Sequence, residues 1–364
     1  MKLGIIGLSK SGKTTIFNAL THGSAETTSY VSGKVEPNIG VVKVPDSRLD
    51  TLSHMFHPKK TTPADVEYID IVGFTKETSK GEKVRSQLLT AVRNSDALAH
   101  VIRFFHDDNV PHPEASIDPE RDARLVETEL ILTDLEVVEK RRGYLESSKK
   151  KGRKEDEAEY LLLTRCQEAL EREVPLRDLD LSPEEKLVLK GFQFLTDKPL
   201  LQILNLGEDQ LHDEETQKVI SAFKAQDQPG KVASVAICGK LEGELAELHP
   251  EDAQLFMEDL GIDESALGRL ITASYDLVRL ITFFTVGENE VKAWPIPQGT
   301  TALKGAGEIH SDLEKGFIRA EVIHYDDLIS CGSMAAARSK GLLRLEGKEY
   351  LIRDGDVITI RFNV

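Results

Sequence analysis

Residues 7–14 read Gly7-Leu8-Ser9-Lys10-Ser11-Gly12-Lys13-Thr14 and match the pattern G-x-x-x-x-G-K-[ST] of a phosphate-binding loop. The β-branched run at residues 2–7 precedes this loop, and Ile16, Phe17 and Leu20 follow it at helical spacing. A strand, a glycine loop and a helix in this order direct backbone N–H groups and a helix N-terminus toward phosphate oxygens. The stretch therefore predicts a phosphate site at the start of an α/β fold.

The residue types in this loop follow from phosphate chemistry. Its glycines let the backbone turn inward, the Lys13 ammonium is expected to reach the β- and γ-phosphates, and the Thr14 hydroxyl is expected to bind Mg²⁺. The predicted nucleotide-binding residues of the loop and the helix start are Gly7, Lys10, Ser11, Gly12, Lys13, Thr14 and Thr15.

A phosphate loop of this kind needs a second carboxylate at the end of a nearby strand, which holds Mg²⁺ through water. The stretch Val66-Glu67-Tyr68-Ile69-Asp70-Ile71-Val72-Gly73 is a strand ending in D-x-x-G. We expect Asp70 on the metal side and the Gly73 amide near the γ-phosphate. An ordinary acid-glycine turn is the alternative.

A candidate base-binding loop comes much later in the chain. Guanine-specific proteins carry N-K-x-D after an apolar strand, and the Asp accepts hydrogen bonds from two guanine donors. Here the run 200–204 leads into Asn205-Leu206-Gly207-Glu208, so Asn205 is retained, Leu206 replaces the Lys, and Glu208 is one methylene longer than Asp. This pattern predicts a loss of the usual guanine selection, and an ordinary strand-end turn is the alternative.

The chain between these motifs indicates a parallel α/β sheet, because apolar runs at 97–105, 199–205 and 232–238 are separated by helical stretches. From 121 to 174 the sequence is charged and nearly free of glycine, with apolar residues at helical spacing. This predicts two antiparallel helices. Residues 140–154, at their junction, hold eight Lys and Arg and one acid. The junction is either a polyanion-binding tip or a solvated hairpin end.

Beyond about residue 278 the sequence reads as short strands and turns, which indicates a separate α+β module. We therefore expect a P-loop NTPase domain at 1–120 and 184–277, a helical hairpin insertion at 121–183, and a C-terminal module at 278–364.

The composition limits the function classes. The 364 residues carry a net charge of −16, so the protein is not a simple polycation for nucleic acid, although a local basic patch remains compatible. Cys166, Cys238 and Cys331 lie far apart, which excludes a disulfide scaffold and a C-x-x-C metal site and suits a reducing compartment. No apolar run is long enough for a membrane span, and the N-terminus does not resemble a signal peptide. We expect a soluble cytoplasmic protein with no membrane partner.

These motifs together resemble the YchF family, a branch of the Obg-like P-loop NTPases. In the first half, the matching residues are Glu36-Pro37-Asn38 with Gly40, Pro45-Asp46-x-Arg48-Leu49, and Asp70-Ile71-x-Gly73. The N-x-x-E loop at 205–208 also fits, and Cys238 with Glu242 is similar to the family's loop behind the base. The C-terminal module resembles the family's TGS domain, a β-grasp fold, in Lys292-Ala293-Trp294, in the stretch from Ala306 to Ala320, and in Asp354-Gly355-Asp356-Val357.

The resemblance implies a P-loop parallel sheet with an inserted antiparallel helical hairpin and a C-terminal β-grasp (TGS) domain. It also implies slow hydrolysis of ATP or GTP with Mg²⁺, and association with RNA and with the ribosome or its large subunit, without DNA sequence specificity. We expect a monomer. Lys13, Thr14 and Phe74 are the expected catalytic residues, since Phe74 keeps the apolar character that replaces a catalytic Gln in this family. The further nucleotide contacts are Gly73, Asn205, Glu208, Cys238 and Gly239, the metal ligands are Thr14 and Asp70, and the RNA or ribosome contacts are Lys149, Lys150, Lys151, Arg153 and Lys154.

Several positions depart from the family pattern. Lys34 replaces a switch threonine that binds Mg²⁺, and residues 83–86 replace a glycine-rich stretch. These changes favour an alternative function, a ribosome or RNA clamp that binds nucleotide but barely hydrolyses it. A metabolic kinase is a third possibility, but it would leave the hairpin and the C-terminal module unexplained.

Overall fold

The chain forms two compact units in a computed structural model that describes residues 1–21, 38–70, 92–150, 157–262 and 265–363. The first unit comprises Met1–Val42 and Glu67–Ala273, and the second comprises Lys43–Val66 and Ser274–Val364. Among the helices in these described ranges, none has the length and apolar character to cross a membrane.

The strands form two sheets and are numbered along the chain. They are β1 (Lys2–Ile6), β2 (Asn38–Lys43), β3 (Lys60–Thr62), β4 (Asp65–Asp70), β5 (Ala97–Arg103), β6 (Leu200–Asn205), β7 (Val232–Ile237), β8 (Leu280–Thr285), β9 (Glu290–Pro297), β10 (Phe317–His324), β11 (Arg344–Glu346) and β12 (Asp356–Phe362). The described helices are α1 (Lys13–Leu20), α2 (Ser47–Phe56), α3 (Pro119–Lys150), α4 (Glu157–Glu171), α5 (Pro183–Lys190), α6 (Glu214–Lys224), α7 (Gly239–Glu247), α8 (Pro250–Asp259), α9 (Ala266–Leu277), α10 (Ala302–Ile309), α11 (Ser311–Lys315), α12 (Tyr325–Cys331) and α13 (Met334–Ser339).

The first sheet has the strand order β2-β4-β1-β5-β6-β7, and the last five strands of this order pair in parallel. Every residue of the central strand β5 is buried, as expected for a parallel strand covered on both faces. Parallel strands place their carboxyl ends at one edge of the sheet, where β1, β4 and β6 end at Ile6, Asp70 and Asn205. The predicted parallel α/β sheet is therefore confirmed.

The predicted helical hairpin is also present. Helices α3 and α4 run antiparallel, because Arg142 is hydrogen-bonded to Gln167 while Glu146 accepts from the Tyr160 hydroxyl at 2.9 Å. Arg141 adds a two-pronged ion pair with Glu159, with N–O distances of 2.7 and 2.9 Å. A buried apolar cluster joins the two helices to the segment that returns to the sheet: Ile131, Val138, Leu145, Leu162, Leu163, Cys166, Leu170, Leu176, Leu181, Leu189 and Phe194.

The C-terminal sheet has the order β11-β10-β12-β8-β9-β3 and mixes parallel and antiparallel pairs. One face packs on α10 and α11 through a buried cluster that includes Ala302, Ala306, Ala320, Val322 and Ile358. The C-terminal sheet domain expected from the sequence is therefore present.

Residues 43–66 belong to this second unit, which their sequence alone does not indicate. Strand β3 pairs in parallel with β9, and the Thr62 hydroxyl donates to Glu290 Oε1 at 2.5 Å. On α2, Arg48 donates to Asp354 Oδ2 at 2.6 Å, and its guanidinium lies 5.3 Å from the centre of the Phe284 ring. The Asp46-x-Arg48 and Asp354-Gly355-Asp356 motifs are thus partners in one hydrogen-bonded network. The domain boundaries stay a prediction, and the compact units divide the chain differently at this segment.

Candidate functional site

The phosphate loop joins β1 to α1, and its two outer glycines hold positions that a side chain could not occupy. Gly7 has φ of 146°, and a Cβ there would overlap the carbonyl oxygen of Val101 on the neighbouring strand. Gly12 has φ of 94°, and a Cβ there would overlap the Asn205 side-chain amide. Lys10, between them, has a left-handed φ of 61° and an exposed side chain. The loop therefore wraps closely around the N-terminus of α1, where backbone N–H groups bind anions.

Lys13 extends back across the loop. Its ammonium donates to the carbonyl oxygens of Gly7 at 3.0 Å and Leu8 at 2.7 Å, and the residue is buried. Burial lowers the pKa of Lys13 to about 8, and the negative charge of Asp70 partly opposes this shift. The loop thus holds a desolvated cation, which anionic phosphate groups would stabilise.

Asp70 and Thr14 form the second part of the site. The Thr14 hydroxyl donates to Asp70 Oδ2 at 3.0 Å, and Asp70 is fully buried at the end of β4. Burial raises the pKa of Asp70, opposed by the Thr14 hydrogen bond, by the charge of Lys13 and by the side chain of Asn38. Within the described residues, Oδ1 of Asp70 has no hydrogen-bond partner. A buried carboxylate oxygen without a partner beside a threonine hydroxyl fits Mg²⁺, which prefers oxygen ligands and water.

Asn205 connects the phosphate loop to the loop after β7. Its Nδ2 donates to the Ser11 carbonyl at 3.0 Å, and its Oδ1 accepts from the Gly239 amide at 3.0 Å. The residue is buried, so both ends of its amide are paired inside the protein. Cys238, which precedes Gly239 and the start of α7, is also buried, and burial raises the pKa of its thiol. Three sequence-distant segments therefore meet at Asn205.

The predicted base-reading acid has a partner that the sequence analysis missed. Glu208 Oε1 accepts from Lys240 Nζ at 2.9 Å, and the hydrogen bond to Glu208 raises the pKa of Lys240. Both side chains are exposed, so the pair is weak in water. The available signal was a basic residue two positions after Cys238, in the loop expected behind the base. Lys240 therefore competes for Oε1 of Glu208 with any donor on a bound base.

The structure brings most of the predicted site residues to one edge of the first sheet. These are Gly7, Lys10, Ser11, Gly12, Lys13, Thr14, Thr15, Asp70, Asn205, Glu208, Cys238 and Gly239. Several predicted residues lie outside the described part of the chain: Lys34, Gly73, Phe74, residues 83–86, Lys151, Arg153 and Lys154. Lys149 and Lys150 are the last residues of α3, but the structure does not describe their side chains.

The parallel sheet, the phosphate loop with Lys13, and the Thr14–Asp70 pair define a nucleotide-binding P-loop NTPase fold. A family model described as "50S ribosome-binding GTPase" matches residues 2–140, and the YchF-GTPase_C model, described as "Protein of unknown function (DUF933)", matches residues 280–363.

Full-length relatives identify the family. The chain is 43% identical over 361 residues to the ribosome-binding ATPase YchF of Bacillus subtilis, covering 99% of both chains. It is 41% identical over 363 residues to the protein of the same name from Escherichia coli, covering 100% of this chain and 99% of the relative. The solved structure of the Schizosaccharomyces pombe YchF GTPase superposes with a TM-score of 0.84 at 31% identity, covering 99% of this chain and 97% of that one. The chain belongs to the YchF family.

Proposed function

We propose that this protein binds ATP or GTP together with Mg²⁺, hydrolyses it slowly, and regulates translation by binding the ribosome in the cytoplasm as a monomer. The observation that carries the proposal is the buried Asp70 carboxylate, which bonds to Thr14 through one oxygen and leaves the other without a partner. The two YchF relatives above are named ribosome-binding ATPases, which supports both halves of the proposal.

In the proposed mechanism the phosphate chain enters between the loop amides and Lys13. The ammonium exchanges its bonds to the Gly7 and Leu8 carbonyls for bonds to phosphate oxygens. The Thr14 hydroxyl and Asp70 would hold Mg²⁺, which neutralises negative charge on the β- and γ-phosphates when bound. These groups would stabilise the charge that grows in the transition state, and the fold holds Lys13, Thr14 and Asp70 close to where the nucleotide would bind.

The low rate follows from the residues at the γ-phosphate. Phe74, the proposed counterpart of a catalytic glutamine, cannot orient or deprotonate a water molecule. The attacking water is then held by backbone groups such as the Gly73 amide, or by the phosphate itself. Positioning and charge neutralisation alone support slow turnover.

The base is proposed to lie beside Asn205, Glu208, Cys238 and Gly239. Asn205 fixes the base loop relative to the phosphate loop through Ser11 and Gly239. Since Lys240 already donates to one oxygen of Glu208, it competes with the two donors of guanine for that carboxylate, whereas the single amino group of adenine needs only one oxygen. We therefore propose that ATP is accepted at least as well as GTP.

The proposed contact with ribosomal RNA is the basic hairpin tip, Lys149, Lys150, Lys151, Arg153 and Lys154. Lys149 and Lys150 end α3, and the other three follow in the sequence before α4, in a chain whose net charge is −16. Phosphate neutralisation by such a cluster releases counterions and favours binding to RNA.

The second candidate function is a nucleotide-dependent ribosome clamp without efficient hydrolysis, favoured by Lys34 and the bulky residues at 83–86. Single-turnover hydrolysis of ATP and GTP, with and without purified ribosomes, separates the two. Turnover that Lys13→Ala abolishes supports the NTPase. Tight nucleotide binding without phosphate release under either condition supports the clamp.

A further inference from the structure

The outward face of the C-terminal sheet places two arginines directly opposite each other. Arg319 on β10 and Arg361 on β12 are partners in the antiparallel register. Their neighbours Ala320 and Ile360, one position along, belong to the apolar cluster under α10 and α11. Because side chains alternate along a strand, Arg319 and Arg361 point away from that cluster. Both residues are exposed.

One carboxylate, that of Glu321, accepts hydrogen bonds from two guanidinium groups on this face. Glu321 Oε1 accepts from Arg361 and, at 3.2 Å, from Arg338 of α13. The Glu321 side chain is only 11% exposed, whereas those of Arg338 and Arg361 are 66% and 53% exposed. Across the described ranges of the chain, Arg319 has no ion pair. Two of the three guanidinium groups therefore share one largely buried acid, and the third has no acid partner among the residues that the structure describes.

This arrangement is unfavourable for the isolated protein. Like charges directly opposite each other on paired strands repel and are destabilising. Glu321 holds two of the guanidinium groups in fixed positions but compensates only one positive charge. A guanidinium group can donate two parallel hydrogen bonds to two oxygens of one phosphate group. Phosphate groups repeat along a nucleic acid backbone, as the guanidinium groups do on this face.

We propose that Arg319, Arg338 and Arg361, together called the arginine face, bind the phosphodiester backbone of RNA. Charge complementarity is the argument for RNA as the partner. A chain with a net charge of −16 binds a polyanion through a local cationic surface. Within the described residues, the arginine face is such a surface. The inference rests on the proposed function in one respect, since ribosomal RNA is the RNA that a ribosome-binding protein meets. The face lies apart in sequence from the hairpin tip and adds a second contact.

The test compares two double charge reversals in the full-length protein. Arg319→Glu with Arg361→Glu alters the arginine face, and Lys304→Glu with Lys315→Glu is the matched control on α10 and α11, which cover the other face of the same sheet. The two variants have the same net charge. A third variant, Arg319→Gln with Arg361→Gln, removes the cations without adding acids, and thermal melts show that each variant is folded.

The probes are a fluorescein-labelled poly(U) RNA of about 20 nucleotides, followed by anisotropy, and purified ribosomes, followed by co-sedimentation. We expect Arg319→Glu with Arg361→Glu to weaken both interactions about tenfold or more near 0.1 M salt, with the control within about twofold of the wild type. The Gln variant lowers the salt slope of RNA binding by about 1.4, the value for two lost phosphate contacts on a single strand.

RNA and ribosome binding that weakens equally in the two double reversals, or in neither, overturns the inference. The wild-type protein still binds nucleotide and ribosomes in that case, so the proposed function is retained. Loss of ribosome binding with unchanged RNA binding also overturns it, because it identifies an acidic protein surface as the partner. Wild-type protein that binds RNA through the arginines but does not bind ribosomes refutes the proposed function and retains the arginine face. Binding to neither probe refutes both.

Discussion

The Thr14 hydroxyl and the buried Asp70 carboxylate are joined by a hydrogen bond of 3.0 Å, which leaves Oδ1 of Asp70 without a partner among the described residues. The burial that raises the Asp70 pKa makes the ionised carboxylate unfavourable in the folded protein. At neutral pH this is a cost to folding, and it decreases as the pH falls through the raised pKa toward the ordinary carboxyl pKa of 3.8. The Asp70 site is thus arranged to bind a cation, and this arrangement lowers the stability of the free protein.

The first prediction follows from this cost. Asp70→Asn should raise the free energy of unfolding without Mg²⁺, by on the order of 1 kcal/mol, because it removes a buried charge whose desolvation outweighs the stabilisation by Thr14 and Lys13. The same variant should lose the gain in nucleotide affinity that Mg²⁺ gives the wild type. Urea unfolding in EDTA and calorimetry with and without Mg²⁺ measure the two effects. A variant that is less stable in EDTA and still responds to Mg²⁺ would show that Asp70 has a structural role only.

The second prediction concerns pH. The free protein holds Lys13 at a pKa of about 8, and bound phosphates would raise this pKa because they stabilise the ammonium. Nucleotide affinity should therefore be constant below about pH 7 and fall between pH 8 and 10, by at most about tenfold per pH unit. Titration calorimetry at constant ionic strength measures this dependence.

Two variants serve as controls for Lys13. Lys13→Ala should abolish or greatly weaken binding while leaving the fold intact, and unchanged affinity would contradict the phosphate site. Lys13→Arg should bind more weakly than wild type but without the decline above pH 8, since the guanidinium stays charged.

The third prediction concerns the base. Lys240→Met frees Oε1 of Glu208, so that a guanine could donate to both oxygens, and GTP affinity should increase relative to ATP by about threefold to tenfold. Glu208→Asp, which restores the shorter acid, should shift the preference in the same direction. Glu244→Gln is a suitable control, because Glu244 lies 3.9 Å from Lys240 but belongs to the next turn of α7. Wild-type protein that binds GTP a hundredfold better than ATP would contradict the proposed role of this pair.

The fourth prediction concerns the hairpin tip. Reversing Lys149, Lys150, Lys151, Arg153 and Lys154 to Glu should weaken ribosome co-sedimentation and flatten its dependence on salt. Nucleotide affinity should not change, because the tip is far in sequence from the phosphate loop and the reversal leaves the buried hairpin cluster intact. Unaltered co-sedimentation would identify the tip as a solvated end.

The fifth prediction tests the hairpin itself. Leu163 is fully buried between α3 and α4, so Leu163→Ala should cost about 2–5 kcal/mol of stability, whereas Leu161→Ala, at a position 60% exposed on the same helix, should cost well under 1 kcal/mol. Urea unfolding monitored by circular dichroism compares the two. Equal costs would contradict the packing of α4 on α3.

The local sequence was sufficient to predict features whose residues lie close together along the chain. The phosphate loop could be predicted because Gly7, Gly12, Lys13 and Thr14 act within one strand-loop-helix unit, and the parallel strands could be predicted because β5 and β6 are continuous apolar runs. The hairpin followed from the helical spacing of its buried residues.

Features that depend on partners distant in sequence could not be predicted in this way. The link of Asn205 to Ser11 spans 194 residues, and the ion pair of Lys240 with Glu208 depends on which loops the sheet order brings together. Strand β3 has only three residues, with no apolar alternation, and is a strand because β9 lies beside it. The arginine face likewise requires the register between β10 and β12.

The pairing of β3 with β9 also affects the order in which the protein can form during its own synthesis. Thr62 and Glu290 are hydrogen-bonded although they are 228 positions apart. At about 5–20 residues added per second, residues 43–66 emerge roughly 10–45 s before the strand that they join. During this interval residues 60–62 lack the strand beside which they become β3, and the lysines at 59 and 60 discourage pairing with other chains. A nascent chain that stalls before residue 290 would therefore leave this segment of its first quarter without its partner.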